Sequence, residues 1–206
     1  MAITITEAFT SLEDVRRDLS DVTDAQKIRA ANYINQMFYD EWIGIDPYHF
    51  VSEDTVNVVA GTTDYSLPAD FQTINSFDCG IYEIGDDNKD TRNKLATTAF
   101  GSPLDGYYIQ GANIVVTPEP VKAQNYKLRY IPALADMTDL ADEFIVEDRH
   151  KELLRDALMV WYDVNDEDYS REGADDPRLA RTMSRFANGI AKNAQIASLP
   201  NYNNSY

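Results

Sequence analysis

The chain has 206 residues, 44% of them hydrophobic, which is enough for one domain with its own core and too apolar for a disordered segment. Asp and Glu outnumber Lys and Arg 35 to 18, giving a net charge of −17, a balance that should repel nucleic acid rather than grip it. No apolar run approaches the roughly 20 residues of a membrane span, the N-terminus does not read as a secretory signal, and the single cysteine, Cys79, excludes an intrachain disulfide.

The first ten residues read as an arm. Thr10-Ser11-Leu12-Glu13 has the form of a capping box, with Thr10 capping and Glu13 reaching back, and predicts a short helix to about Ser20. Thr23-Asp24-Ala25-Gln26 repeats the signal. Beyond it, Ile28, Ala31, Ile34, Phe38 and Trp42 recur every three or four residues, one face of a helix that should stop near Gly44, before Asp46-Pro47.

The middle of the chain reads as β. Val56 and Val58 share a face in Thr55–Val59. In AGTTDYSLPADFQTINSF, residues 60–77, Gly61 permits a turn, Tyr65 and Leu67 are expected as apolar anchors, Pro68 bends the chain, and Asp70 should accept local backbone hydrogen bonds. Phe71–Ile84 is rich in β-formers. Tyr107–Thr117 is a predicted hairpin, with Gly111 at the first position of a type II′ turn. Tyr126, Leu128 and Tyr130 alternate with Lys127 and Arg129, so that strand should bury one face and wet the other. Between them, residues 85–106 form a long polar connection that points to partner docking, with Asp86, Asp87, Lys89, Arg92, Lys94 and Phe100 as its partner-facing residues.

The C-terminal part is helical again. His150, Leu153, Leu154, Ala157, Leu158 and Trp161 keep a helical rhythm, Trp161 falling with Trp42 on apolar stripes. Asp176-Pro177 is a cap followed by Pro at the first helical position, and Leu179, Met183, Phe186 and Ile190 mark the core face of the last helix. The final stretch, SLPNYNNSY, has no period and is expected to be an extended tail whose anchors are Leu199, Tyr202 and Tyr206. The pattern predicts an α+β fold: a helical bundle built from N- and C-terminal helices (about 11–44 and 147–195), an inserted antiparallel β-module (about 50–135), and the tail (about 196–206), all in a single domain.

Chemistry-bearing patterns are few. His49 and His150 have no second His at i+4, so an HExxH zinc site is excluded, and both read as structural or surface residues. Cys79 reads as a small buried strand residue. Asp86, Asn88 and Asp90 have calcium-loop spacing, but Thr91 replaces the Gly and Thr97 the Glu that such a loop needs; Asp163, Asn165 and Glu167 show the same spacing without the Gly. Walker, GxGxxG and GxSxG motifs are missing from the sequence. No catalytic, cofactor or metal residue is assigned.

The order of parts is more specific than any one of them. Ala60-Gly61, Tyr65, Leu67-Pro68, Asp70-Phe71 and Ile74 follow a helix ending in Trp42. They precede Tyr108-Ile109, Ile114-Val115-Val116, Pro118-Glu119-Pro120, Leu128-Arg129-Tyr130-Ile131-Pro132, an acidic connection from Leu140 to Asp148, and two more helices. From about Ser11 to Ile190 this series resembles the head-to-tail adaptor (connector) proteins of tailed bacteriophages; podoviral tail tubular protein A is similar in helical framework. Y-x-L-P-x-D-F is the most specific piece.

The resemblance implies a structural virion protein, not an enzyme, that forms a ring, usually dodecameric, beneath the portal. Its implied partners are the portal protein, neighbouring copies of itself, and a tail tube or nozzle protein. Genomic DNA would pass through the channel without specific binding, and no membrane is involved. The protein would be assembled in the host cytoplasm and located at the head-tail junction of the virion. On this reading Asp163, Asp166, Glu167 and Asp168, with Asp86-Asp87, are candidate lumen carboxylates, because an acidic wall repels phosphates. The tail would dock on the portal or a neighbour. The competing readings are another tail-completion, tube or nozzle component, a carbohydrate-binding β-module on a helical base, and an unrecognised enzyme.

Overall fold

The N-terminal residues form two elements rather than an arm. In the computed structural model, which describes residues 2–15, 19–74, 80–84, 90–94, 106–166 and 176–197, strand β1 (Ala2–Thr4) runs directly into helix α1 (Ile5–Glu13). The cap is Thr4: its hydroxyl accepts the Glu7 N–H at 3.2 Å, and the Glu7 carboxylate accepts the Thr4 N–H at 3.0 Å. The expected box at Thr10 is therefore displaced by an earlier T-x-x-E. The reason is burial. Starting at Ile5 puts Ile5, Ala8, Phe9 and Leu12 on one buried face, and Thr10 lies inside the helix with its hydroxyl donating to the Thr6 carbonyl.

Helix α2 (Asp24–Ile45) begins at the predicted cap, with Thr23 and Gln26 exchanging hydrogen bonds. Its buried face contains Ala31, Ile34, Phe38 and Trp42, as the periodicity requires, together with Asn35. Of the ten strands described, β10 (Glu143–Glu147) pairs antiparallel with β1. The segment Leu140–Asp148 is thus not a bare acidic connection: Phe144 and Val146 are buried between exposed Glu143 and Glu147. Helices α3 (Lys151–Asp166) and α4 (Pro177–Ala197) follow, the latter opened by Asp176, whose carboxylate accepts the Arg178 N–H at 2.7 Å.

The chain divides into two compact units, residues 1–46 with 134–206, and residues 47–133. In the first, α1 packs on α3, and α2, α3 and α4 pack on one another. Phe186 of α4 lies edge-on to Phe38 at 4.5 Å and to Trp42 at 5.8 Å, and Phe9 meets Tyr162 at 5.7 Å. Trp161 is only half-buried, against the core position expected from its stripe; Tyr162 beside it takes the buried site.

Two asparagines of α2 fix the return segment. Asn32 donates from Nδ2 to the Met137 carbonyl at 2.9 Å and accepts the Met137 N–H on Oδ1 at 2.7 Å. Asn35, 2% exposed, accepts the Ile145 N–H at 3.0 Å. Each side chain acts as the neighbouring strand would, satisfying backbone groups that have entered the protein.

The second unit is antiparallel β. Strand β9 (Gln124–Pro132) is its centre: β2 (Ser52–Val58) pairs along one edge, β5 (Gly80–Ile84) and then β6 (Asp90–Lys94) along the other, and β4 (Phe71–Thr73) joins its end. A second sheet has the order β3 (Asp64–Ser66), β8 (Asn113–Thr117), β7 (Gly106–Gln110). Val56, Val58, Leu128 and Tyr130 close a core with Tyr107, Ile114 and Val116. Gly111, at φ +59°, supplies the positive φ that the first central position of a primed hairpin turn demands.

Two local expectations change and a third is extended. Residues 85–106 are not all connection, because 90–94 form β6; Asp-Thr-Arg-Asn-Lys has no apolar alternation to reveal an edge strand. Tyr65 packs against the core as expected and is a polar anchor as well, its hydroxyl accepting the Val59 N–H at 2.9 Å and donating to the Thr62 carbonyl at 2.7 Å. Asp70 takes the Tyr130 hydroxyl, 60 residues away, at 2.9 Å rather than local N–H groups. The α+β class itself is observed.

Replacing Asn32 with Ala strands both backbone groups of Met137. Asn32→Ala is expected to lose about 2–3 kcal/mol in urea unfolding, an amount set by leaving such groups unpaired, whereas Thr10→Ala should cost well under 1 kcal/mol.

Candidate functional site

The described residues contain no group of three or more His, Cys, Asp or Glu placed to hold a metal, and no helix long and apolar enough to cross a membrane. The features that stand out are charged and polar clusters on the surface of each unit.

In the β unit, Glu53 on β2 bridges Lys127 at 3.2 Å and Arg129 at 2.7 Å on β9. The hydrogen bond from Arg129 holds the Glu53 carboxyl below its usual range, against the opposing effect of burial and with help from Lys127. The wet face of β9 is therefore a cross-strand ion cluster, and the alternating cations at 127 and 129 were its only trace in the sequence. In backbone register, Thr55, Lys127, Tyr82 and Lys94 are aligned across β2, β9, β5 and β6. Two of the residues expected to face a partner, Arg92 and Lys94, belong to an edge strand. Asp86, Asp87, Lys89 and Phe100 lie outside the described residues, as does Cys79.

In the helical unit, Asp163 is near the end of α3 and Asp166 is its last residue; Glu167 and Asp168 lie outside the described residues, as do Leu199, Tyr202 and Tyr206. Asp163 pairs with Arg178 at 2.9 Å, and Arg178 also bonds Asp176 at 2.9 Å. The hydrogen bonds Arg178 donates to Asp176 first, and then to Asp163, raise its pKa against the opposing effect of burial. This triad ties α3 to α4. Asp142 caps its own turn by accepting the Thr138 and Asp139 N–H groups, which hold its carboxyl below the ordinary range.

The two histidines lie in different surroundings. His49 is exposed in a 3-10 turn (Pro47–Phe50), its ring 4.9 Å from Phe50. His150 is buried beside Phe186, ring centroids 5.2 Å apart, and its Nε2 has no hydrogen-bond partner among the described residues. Burial, and then the nearby Arg149 charge, push its pKa down, with Glu147 opposing.

A family model described as the SU10 adaptor protein matches residues 8–204. The chain belongs to that family. No curated protein matches it. The SU10 adaptors are phage adaptor proteins, structural components of the virion at the head-tail junction, and the family covers both units described above.

Within this SU10 adaptor the buried polar groups report on folding. A neutral His150 is favoured by the fold, so its depressed pKa contributes stability above about pH 6.5 that is lost as pH falls through that value and down to the folded pKa. His150→Phe is expected to flatten the fall in thermal midpoint between pH 7 and pH 5 relative to wild type. Tyr130 has the opposite direction. Burial, reinforced by Asp70, pushes its pKa up to about 12, so its contribution is complete below the unfolded value of about 10 and lost as pH rises through about 12. Tyr130→Phe should cost about 1 kcal/mol at pH 8 and show a smaller further loss than wild type on going to pH 11, both read by urea unfolding.

Proposed function

We propose that this SU10 adaptor forms a ring, dodecameric by analogy with head-to-tail adaptors, beneath the portal of a phage head. The whole chain acts as a single adaptor domain, with the helices of both chain ends bundled around the ring. The portal binds one side, the tail tube or nozzle the other, and genomic DNA passes through the channel without being specifically bound. Assembly takes place in the host cytoplasm, and no reaction is catalysed. The observation that carries this reading is the family match over nearly the full chain. The net charge of −17 supports it.

The charge has a physical use in this setting. Carboxylates at the end of α3 (Asp163, Asp166, Glu167, Asp168) and Asp86-Asp87 would line the lumen and keep phosphates from sticking. Asp163 would contribute least, because Arg178 already neutralises it. Lys89, Arg92, Lys94 and Phe100 would meet the partner, and Leu199, Tyr202 and Tyr206 would anchor the C-terminal tail on the portal or a neighbour.

Particle imaging tests the reading: density for this chain should appear as a closed ring directly under the portal, and density in the tail tube or nozzle instead would refute it. Deleting residues 198–206 should leave the thermal midpoint of the isolated protein within about 2 °C while reducing the yield of tailed particles. Undiminished particle yield would remove the tail from the docking surface.

A further inference from the structure

Charge is segregated in the helical unit far beyond what solubility needs. Helix α4 has 21 residues and no carboxylate, in a chain with 35 Asp and Glu. Its cations Arg178, Arg181, Arg185 and Lys192 recur at three-, four- and seven-residue steps, which places them on one face of an α-helix, and all four are exposed. Leu179, Met183, Phe186 and Ile190 occupy the opposite, buried face. Arg178 is held by Asp163 and Asp176, and Arg185 has Asp156 at 3.8 Å, whereas Arg181 and Lys192 have no ion-pair partner among the described residues.

The segment Asp136–Asp148 is the mirror image: it contains Asp136, Asp139, Asp142, Glu143, Glu147 and Asp148 and no cation. Glu143, Glu147 and Asp148 are exposed, the first two on alternate residues of β10, about 13 Å apart at strand spacing. Arg181 and Lys192 are about 16 Å apart at 1.5 Å per residue. The two surfaces belong to different elements of the same unit: α4 packs on α2 and α3, while β10 pairs with β1.

We propose that the α4 stripe (Arg181, Arg185, Lys192) docks on the acidic strand surface (Glu143, Glu147, Asp148) of a second copy of this chain. Such a contact joins two different surfaces, so it is heterologous and propagates from copy to copy until a ring closes. The inference rests on the ring reading above and assigns the surfaces that meet in it. DNA is the less suitable occupant. Arg178 and Arg185 already have carboxylate neighbours, which would stand against a phosphate backbone laid along the stripe. A second copy, in contrast, brings an anionic strip of matching length at equal concentration: Glu147 in it is already paired with Arg149 at 2.9 Å, whereas Glu143 and Asp148 have no ion-pair partner among the described residues.

The test reverses each surface separately and then both together, in the phage that encodes the chain. The variants are Arg181→Glu with Lys192→Glu, Glu143→Lys with Asp148→Lys, and the fourfold combination. None of these side chains makes a hydrogen bond or ion pair within the described structure, so circular dichroism and thermal midpoint should match wild type and separate misfolding from lost docking. Each double variant is expected to lower the yield of tailed particles at least about tenfold, since like charges across an interface cost more than the 1.4 kcal/mol of one decade. The fourfold swap restores opposite charges and should recover to within about threefold of wild type. Folded double variants with normal yield, or a swap no better than the doubles, would overturn the proposal. Low-salt DNA binding by wild type that disappears in the α4 variant, without rescue by the swap, would instead assign the stripe to DNA and equally overturn it. Particle images of wild type separate the two levels: without a ring the functional reading fails, whereas a ring indifferent to the swap defeats only this contact.

Discussion

The helical unit depends on the way α2 holds the chain segment that returns to it after the β unit. Leaving at Asp46 and returning at Leu134, the chain re-enters with backbone groups that must be satisfied. Asn32 takes both polar groups of Met137, and Asn35 takes the Ile145 N–H from a buried position. Once that segment is fixed, the Asp142 and Leu140 carbonyls can accept the Ile5 and Thr6 N–H groups, and β1 can lie along β10. Cap, first helix and N-terminal strand all follow from two carboxamides on one helix face. An apolar residue at either site would pack as well but leave the strand's amides bare, which is why polar residues persist inside an otherwise apolar stripe.

The β unit solves the same problem with tyrosines. Tyr65 closes the turn after β2 by hydrogen-bonding at both ends of its own loop, and Gly61, at φ +79°, turns its N–H toward the Pro120 carbonyl. Tyr130 reaches from the central strand to Asp70, pinning the chain just before β4 pairs with the end of β9. In each case a ring buries its body against apolar neighbours and spends its hydroxyl on a loop, so core packing and loop geometry are set by one side chain.

What could be read from the sequence was what repeats. The apolar rhythm of α2 and α4, the Thr23 and Asp176 caps and the Val56/Val58 and Leu128/Tyr130 alternations are local, and local patterns survive folding. What failed was non-local or polar. The Thr4 box lost to the Thr10 box in the sequence because only the packed structure shows that Ile5 and Phe9 need burying. Strand β6 has no hydrophobic period because an edge strand needs none, and β10 hid in an acidic run because only Phe144 and Val146 face inward. Asn32, Asn35 and the Glu53 cluster act through partners dozens of residues away, a distance no periodicity reports. The adaptor resemblance was legible because it lies in the order of elements, which insertions and surface changes leave intact.

Segregated charge reconciles two demands on an adaptor that have opposite signs. Free copies should not polymerise away from the site where they are needed, and a net charge of −17 makes every pair of copies repel at separations beyond contact. Docked copies must nevertheless choose a register. Repulsion of this kind is screened within about 8 Å at physiological ionic strength, whereas opposed charges at contact are screened far less. A helix stripped of carboxylates facing a strand stripped of cations is therefore felt only when something else has already brought two copies together. The long-range field sets when association is permitted, and the local pattern sets how it is oriented. Net charge alone would give the first without the second, which is why the distribution of the 18 cations matters more here than their number.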